Sequence, residues 1–382
     1  MIKVLVGLSG GVDSAVAAYL LKKQGYDVTC LFMRNWDSAL NNDTLGNPTL
    51  NNDICPQEKD FNDAQSVAEA LGLKLLRMDY IKEYWENVFQ KFLVEYENGR
   101  TPNPDILCNK YIKFDAFLNY ALNHGYDYIA TGHYVKKVSY DCHEVIAKAD
   151  DMNKDQSYFL AQISPFAISK TLFPLGTISK PEVRKIADEL KLSVAGKKDS
   201  TGVCFIGERN FQKFLSNYLP MSDGDIIDIE TKTVIGRHHG SYYYTIGQRK
   251  GFNVGGNRGP YFLVGKDVYK NELYLASIKD EHYLYSDECL VIDFNQQFPY
   301  ELDGKSLKAK FRYRQPDQDV KVEVIDKHTL KLKYPQKIKA VAIGQEAVLY
   351  LESGEMLGGG VIDKTFVNGI ESFEFINNKL NG

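Results

Sequence analysis

Ile2-Lys-Val-Leu-Val-Gly-Leu-Ser9-Gly-Gly-Val-Asp-Ser14, running at once into Ala15–Gln24, decides the fold of the first half of this chain. Ile2 to Val6 is short, apolar and β-branched, which suits a strand buried on both faces. Ala15–Gln24 carries apolar residues at 16, 17, 20 and 21, the stripe of a helix, and Gly25 supplies a C-terminal stop. Between them lies Ser9-Gly-Gly-Val-Asp-Ser14. Glycines there permit positive φ and let backbone N–H groups approach an anion, and the helix start adds its unpaired donors and positive dipole end. Ser9 and Ser14 add hydroxyl donors, and Asp13 could reach a Mg²⁺ that arrives with the phosphates. The chain has no GxxxxGK[ST], so this is not a Walker A loop.

Outward from that stretch the strand–helix alternation continues. Val28–Met33 reads as a second buried strand, Lys74–Met78 as a third strand, Asp60–Leu71 as a helix stopped by Gly72, Lys82–Glu97 as a long helix, Phe114–Leu122 as another, and Tyr128–Ala130 as a strand ending at Thr131-Gly132-His133. This alternation predicts an α/β domain with a parallel sheet covered on both faces, whose ligands meet the carboxyl ends of the strands. Cys30, inside an apolar strand, reads as a buried small hydrophobe. Beyond about residue 220 the pattern changes to period-two runs such as Ser241-Tyr-Tyr-Tyr-Thr245, Tyr261–Val264, Lys321–Ile325, Leu330–Tyr334 and Ala347–Leu351. Two small β-rich domains follow from this, the last a β-barrel, with boundaries near 213 and 287: 1–213, 214–287 and 288–382. The asparagine-rich stretch 38–56 lacks apolar periodicity and is expected to be mobile.

Composition narrows the class. The 382 residues are 44% hydrophobic and 25% charged, ordinary globular values, and 46 basic against 50 acidic residues leave a net charge of −4. A nucleic-acid site must therefore be a local patch. One such patch is 305–339, where eleven Lys/Arg face four Asp/Glu, with Phe311, Tyr313 and Tyr334 interleaved. That pattern suits phosphate contact with base stacking, or equally the solvated face of a barrel. Arg249-Lys250 is a second candidate patch. The pair His238-His239 has no acidic or cysteine partners nearby in sequence and suits a structural or RNA-contacting role better than a metal site. Six scattered cysteines without CxxC suit a reducing compartment, and no protein-held metal is expected. The N-terminus enters the glycine loop too early for a signal peptide, and no uninterrupted apolar run reaches membrane-spanning length, so a soluble, cytoplasmic location is expected.

Two cysteines have unusual neighbours. Thr101-Pro-Asn-Pro-Asp-Ile-Leu-Cys-Asn109 holds a proline-locked turn, then Asp105, then Cys108 three residues on, so the two share a face if a helical turn opens there. A nearby helix N-terminus, Lys110 and Lys113 would favour the thiolate. Asp199-Ser-Thr-Gly-Val-Cys-Phe-Ile-Gly207 places Cys204 between glycines, after Lys197 and Lys198. This segment suits a moving loop.

SGGVDS resembles the pyrophosphate loop of the PP-loop ATPases, which have an adenine-nucleotide alpha-hydrolase-like fold and activate an oxygen as its AMP ester. With TPNPDILCN and DSTGVCFIG the chain is similar to the tRNA-specific 2-thiouridylase family, also at Ala130–Tyr134, Lys154–Tyr158, Phe173–Gly176, Tyr244–Gly251 and Arg312-Tyr-Arg314. The resemblance implies replacement of O2 of the wobble uridine of tRNA by persulfide sulfur. It implies ATP held by Gly7, Leu8, Ser9, Gly10, Gly11, Val12, Asp13 and Ser14, with Met33 and Gly132 near the adenosine, and Mg²⁺ with the ATP. It implies Cys204 as persulfide carrier, Cys108 as nucleophile forming a transient disulfide with it, and Asp105 as acid/base. Asn103, Pro104, Asp105, His133, Lys154, Asp155, Gln156, Arg312, Tyr313 and Gln345 are the implied tRNA contacts. Lys, Glu and Gln acceptor tRNAs and a sulfur donor, a cysteine desulfurase or a relay carrier, are the implied partners. Two other readings stay open: an amide-forming synthetase on the same loop, which needs no cysteine pair, and an RNA-binding β module with an inactive nucleotide domain.

Overall fold

The computed structural model describes residues 1–48, 56–198, 206, 210–252, 254 and 259–382. The chain divides into two compact units. The first comprises Met1–Gln90, Pro104–Phe214 and Leu351–Gly358; the second comprises Lys91–Asn103, Leu215–Tyr350 and Gly359–Gly382.

The first unit is built on β1 (Lys3–Gly7), α1 (Val12–Lys23), β2 (Asp27–Arg34), α2 (Pro56–Leu71), β3 (Lys74–Asp79) and β4 (Tyr128–Ala130). They form a parallel sheet in the order β3-β2-β1-β4, extended by the short strand Thr171–Leu172. Val4, Leu5 and Val6 have no exposed surface, as expected for a central strand covered on both faces. Cys30 is fully buried in β2, where burial pushes its thiol up to about 12, so it packs as a small hydrophobe. The chain leaves β1 towards β2 on one side, while β4 lies on the other. That reversal is the switch point of the sheet, at the carboxyl ends of β1 and β4, where ligands of such sheets are expected.

Several sequence expectations shift. The helix expected over Phe114–Leu122 begins at Pro104 and runs through a π-helical stretch, Asn109–Ala116, to Asn123. Proline at the first helical position loses no hydrogen bond, so Pro104 opens the helix rather than blocking it. Of the stretch expected to be mobile, residues 49–55 lie outside the described residues; ahead of them Trp36 Nε1 and Asn47 Nδ2 donate to the fully buried Asp43, and Asn41 Oδ1 caps the Asp37 N–H. Its polar side chains replace an apolar stripe as the organising contacts, which periodicity does not detect. The hairpin Val135–Tyr140/His143–Lys148 has no counterpart in the sequence reading; Asp141 and Cys142 turn it with φ of 46° and 63°.

In the second unit a four-stranded sheet runs in the order Tyr261–Asp267, Glu272–Ser277, Gly224–Asp228, Thr233–His238. Six strands then close a barrel: Tyr285–Gln296, Thr329–Lys339, Gln318–Asp326, Ser306–Lys310, Glu346–Tyr350 and Met356–Val367, which pairs back with the first. Ser241–Tyr243, expected in a strand, forms a 3₁₀ turn, because Gly240 (φ 136°) reverses the chain and Tyr243 Oη donates to Leu219 O. No described helix is long and apolar enough to cross a membrane.

Candidate active site

The loop between β1 and α1 is pre-shaped by its own serines. Ser9 N–H donates to Ser14 Oγ at 3.2 Å, the two hydroxyls lie 3.2 Å apart, and Ser14 Oγ donates to Gly11 O at 3.1 Å. Gly10 sits at φ 74°, and a Cβ there would lie 2.3 Å from Asp60 O, so the position requires glycine twice over. Gly11 caps α1 without a side chain, leaving the first N–H groups of the helix to an incoming anion. Ser9 is exposed at the mouth of this cradle. Met33, next to last in β2, stands on one flank, its Cε 3.2 Å from where a Cβ of Gly7 would stand. Gly132, just past β4, closes the other: a Cβ there would lie 2.8 Å from Ser14 N and 2.9 Å from Asp13 C.

Asp13 is the hub of a network that the sequence reading missed. Lys180 Nζ donates to both its carboxylate oxygens, at 2.7 and 2.8 Å, and Tyr134 Oη donates to Oδ1 at 2.7 Å. Lys180 opens the helix Lys180–Glu189, set by a Ser179/Glu182 capping box, and its own N–H donates to Asp151. Tyr134 and Gln156 exchange two hydrogen bonds of 3.0 Å: Tyr134 N–H to Oε1, and Gln156 N–H to Tyr134 O. The segment Asp151–Gln156 is thereby tied to the phosphate loop through Tyr134 and Lys180. Neither residue lies near Asp13 in sequence; only the quoted Ala130–Tyr134 motif pointed towards Tyr134.

A second lysine holds the loop from behind. Lys197 Nζ donates to Gly10 O at 3.0 Å, Asp60 at 2.8 Å and Asp63 at 2.6 Å. Burial lowers its pKa, but the hydrogen bonds to Asp60 and Asp63 outweigh this and the net shift is upward. Its charge is thus balanced by two carboxylates of α2. Cys204 itself, with 199–205 and 207–209, lies outside the described residues.

Cys108 ends the helical turn Pro104–Cys108 and has no exposed surface, whereas Asp105, three residues earlier on the same turn, is partly exposed. The helix runs on from that turn to Asn123, so the thiol lies about one turn in from the N-terminus at Pro104. Lys110, expected beside the thiol, donates to Gln162 at 3.0 Å. Among the described residues no group of three or more His, Cys, Asp or Glu is placed to hold a metal ion.

Residues 2–208 match the tRNA methyl transferase HUP domain model, 212–277 the matching PRC-barrel domain, and 286–362 the aminomethyltransferase beta-barrel domain. The chain is 57% identical over 371 residues to the tRNA-specific 2-thiouridylase MnmA of Mycoplasma capricolum, covering 95% of this chain and 98% of that one. It is 54% identical to the protein of the same name from Mesoplasma florum (94% and 98% covered) and 51% to that from Acholeplasma laidlawii (96% and 98%). The chain belongs to the tRNA-specific 2-thiouridylase family.

The positions that family resemblance gave to tRNA have distinct environments. Asp155 is buried, and its oxygens accept from Ala149 N–H, Ser157 N–H and Ser157 Oγ. It shapes the segment that displays Lys154, which is partly exposed. His133 is buried, with Nδ1 2.8 Å from Thr131 Oγ1; burial, then the nearby Lys113, holds its pKa well below the usual histidine value, so it is an uncharged ring at neutral pH. In the second unit Gln345 Nε2 donates to Thr101 O at 2.6 Å, and Thr101 N–H donates to Ile343 O, pinning the segment that ends at Asn103. Arg312 donates to Ile246 O at 2.9 Å, and Tyr313 is partly exposed.

The basic stretch 305–339 of this 2-thiouridylase is less available than its composition suggests. Lys308, Lys331, Lys333, Lys337 and Lys339 pair with Asp319, Glu288, Glu323, Asp287 and Glu281. Phe311 and Tyr334 are buried against each other, ring centroids 5.2 Å apart, so they are barrel core rather than a stacking platform. His238 is structural too: Gly240 N–H donates to its Nδ1, so Nε2 carries the proton and donates to Asn271 O.

Proposed function

We propose that this chain is an ATP-dependent tRNA sulfurtransferase that makes 2-thiouridine at the wobble position. The observation that carries the reading is near-full-length kinship with 2-thiouridylases in a chain whose SGGVDS loop is folded as an anion cradle. The family model's description names methyl transfer, but a phosphate cradle and two cysteine signatures suit adenylation followed by sulfur transfer.

A uridine C2 carbonyl resists substitution because its oxygen leaves poorly. In the proposed reaction O2 attacks the α-phosphorus of ATP and pyrophosphate departs, with the phosphates held by the backbone donors of Gly10–Ser14 and the Ser9 and Ser14 hydroxyls. The terminal sulfur of a Cys204 persulfide attacks C2 and AMP leaves. Cys108 then attacks the remaining Cys204 sulfur; the sulfur–sulfur bond breaks, a Cys108–Cys204 disulfide forms, and sulfur stays on the base. Asp105 moves the accompanying protons. Because Cys108 is buried, its attack requires the Pro104–Cys108 turn to uncover the thiol as substrate enters. Mg²⁺ would accompany the ATP phosphates; for Asp13 to join its ligands, Lys180 must release the carboxylate. A loop nucleotide such as the wobble base is flipped at little cost, and Lys-, Glu- and Gln-acceptor tRNAs are the proposed substrates. The sulfur donor is a desulfurase or relay carrier, and the reaction belongs in the cytoplasm.

The test is nucleoside mass spectrometry on unmodified tRNA incubated with protein, ATP, Mg²⁺ and a persulfide donor. The expected product is 2-thiouridine, lost in Cys204→Ala and in Cys108→Ser. Thiolation surviving in the Cys108→Ser, Cys204→Ser double variant would overturn the cysteine roles, whereas ATP-dependent activity retained there without any 2-thiouridine would favour amide-forming chemistry on the same loop.

A further inference from the structure

The second unit contains a cavity of about 270 Å³ that nothing in the proposed reaction uses. Its walls are mainly apolar: Ile246, Val264, Leu284, Val341, Ile343 and Ile376 supply much of the surface. The charged groups at its rim are the informative part. Asp363 is paired with Arg100 at 2.7 Å, and Glu371 with Lys364 at 2.8 Å. Asp267 accepts the N–H groups of Tyr269 and Lys270, both at 2.9 Å. Each lining carboxylate is therefore engaged.

Lys266 also lines the cavity and has no carboxylate partner among the described residues. Its Nζ donates to one backbone oxygen, Tyr244 O at 2.7 Å, which uses one of an ammonium's three donors. Burial without a counter-charge lowers its pKa to about 7. Lys266 is half-buried at the edge of an apolar cavity with one donor used and no carboxylate beside it among the described residues, so an anion brought by a ligand would complete its contacts. The apolar walls require that the rest of that ligand be hydrocarbon.

We propose that this cavity binds a small amphipathic monoanion, its charged head on Lys266 and its apolar body against the Val264–Ile376 wall. The site is separate from the sulfur-transfer chemistry and stands whether or not that reading holds.

Octanoate is the probe, with octylammonium and octanol as charge-reversed and neutral controls on the full chain. Calorimetry is expected to show saturable one-to-one binding of octanoate, at least tenfold weaker for either control and for Lys266→Met. Ile376→Trp, which fills the cavity and keeps the amine, is expected to weaken binding to the same degree. Octanoate is also expected to protect Lys266 of the unaltered protein from acetylation, read by peptide mass spectrometry, which needs no variant to fold. Equal binding of octanol or octylammonium, undiminished binding by Lys266→Met, or unprotected Lys266 at saturating octanoate would each overturn the proposal.

Discussion

Substituting Gly132 by alanine tests whether the crossing of β4 and α1 sets the position of the phosphate loop. The added methyl would stand 2.8 Å from Ser14 N, 2.9 Å from Asp13 C and 3.1 Å from Ser14 Cα, all backbone atoms of the first turn of α1. Comfortable non-bonded contacts are about 3.5 Å or more, so the turn must retreat by roughly 0.6 Å. Overpacking of that kind costs about 1–3 kcal/mol. The same turn supplies the anion-binding N–H groups, and displacements near 1 Å at a reacting centre cost about 10²-fold. Gly132→Ala is therefore expected to lower kcat/KM for ATP, measured as tRNA-dependent AMP release, by roughly ten- to a hundredfold, or ~1.4–2.8 kcal/mol. Gly196→Ala is the control, since a Cβ there meets nothing within 4 Å. Both proteins should remain folded at the assay temperature by thermal unfolding. If Gly132→Ala retains ATP turnover within twofold of the parent, the loop is not held by this contact and the reasoning fails.

Two further predictions rest on paired and unpaired lysines. Lys180→Met strands the Asp13 carboxylate and is expected to destabilise the chain by roughly 1–3 kcal/mol in denaturant unfolding, a discounted figure for a partly exposed partner; Asp13→Asn with Lys180→Met should recover part of that loss, and strictly additive effects would refute the pairing. Lys266 has a folded pKa of about 7 against 10.5 for an unperturbed lysine, so between those values the unfolded chain holds the extra proton. Stability therefore rises with pH across that window, by at most about 1.4 kcal/mol per unit, and is flat below and above it. The difference between parent and Lys266→Met, followed by denaturant unfolding from pH 6 to 10, should show that slope in the parent alone; parallel curves would refute it.

What the sequence determined by itself were the features whose causes are local. A β-branched run, a double glycine and an apolar stripe at helical spacing place β1, the phosphate loop and α1 correctly, because backbone φ and side-chain period depend on neighbouring residues. Cys30 was legible as core for the same reason, and so was the barrel class of the last strands, where Leu330, Leu332 and Tyr334 alternate inward with lysines outward. Composition misled where it ignored that alternation: Phe311 and Tyr334 look like a stacking set in sequence but point into the barrel, and several lysines meet carboxylates from residues 281–288. The tertiary structure alone decided the partners of Asp13. Tyr134 is 121 positions away and Lys180 167, and no spacing rule connects them. Likewise Gln345 reaches Thr101 across 244 positions, and among the described residues the fold brings no carboxylate to Lys266. Charge pairing and desolvation are properties of what folding brings together, so they become readable only once the sheet order and the closed barrel are in place.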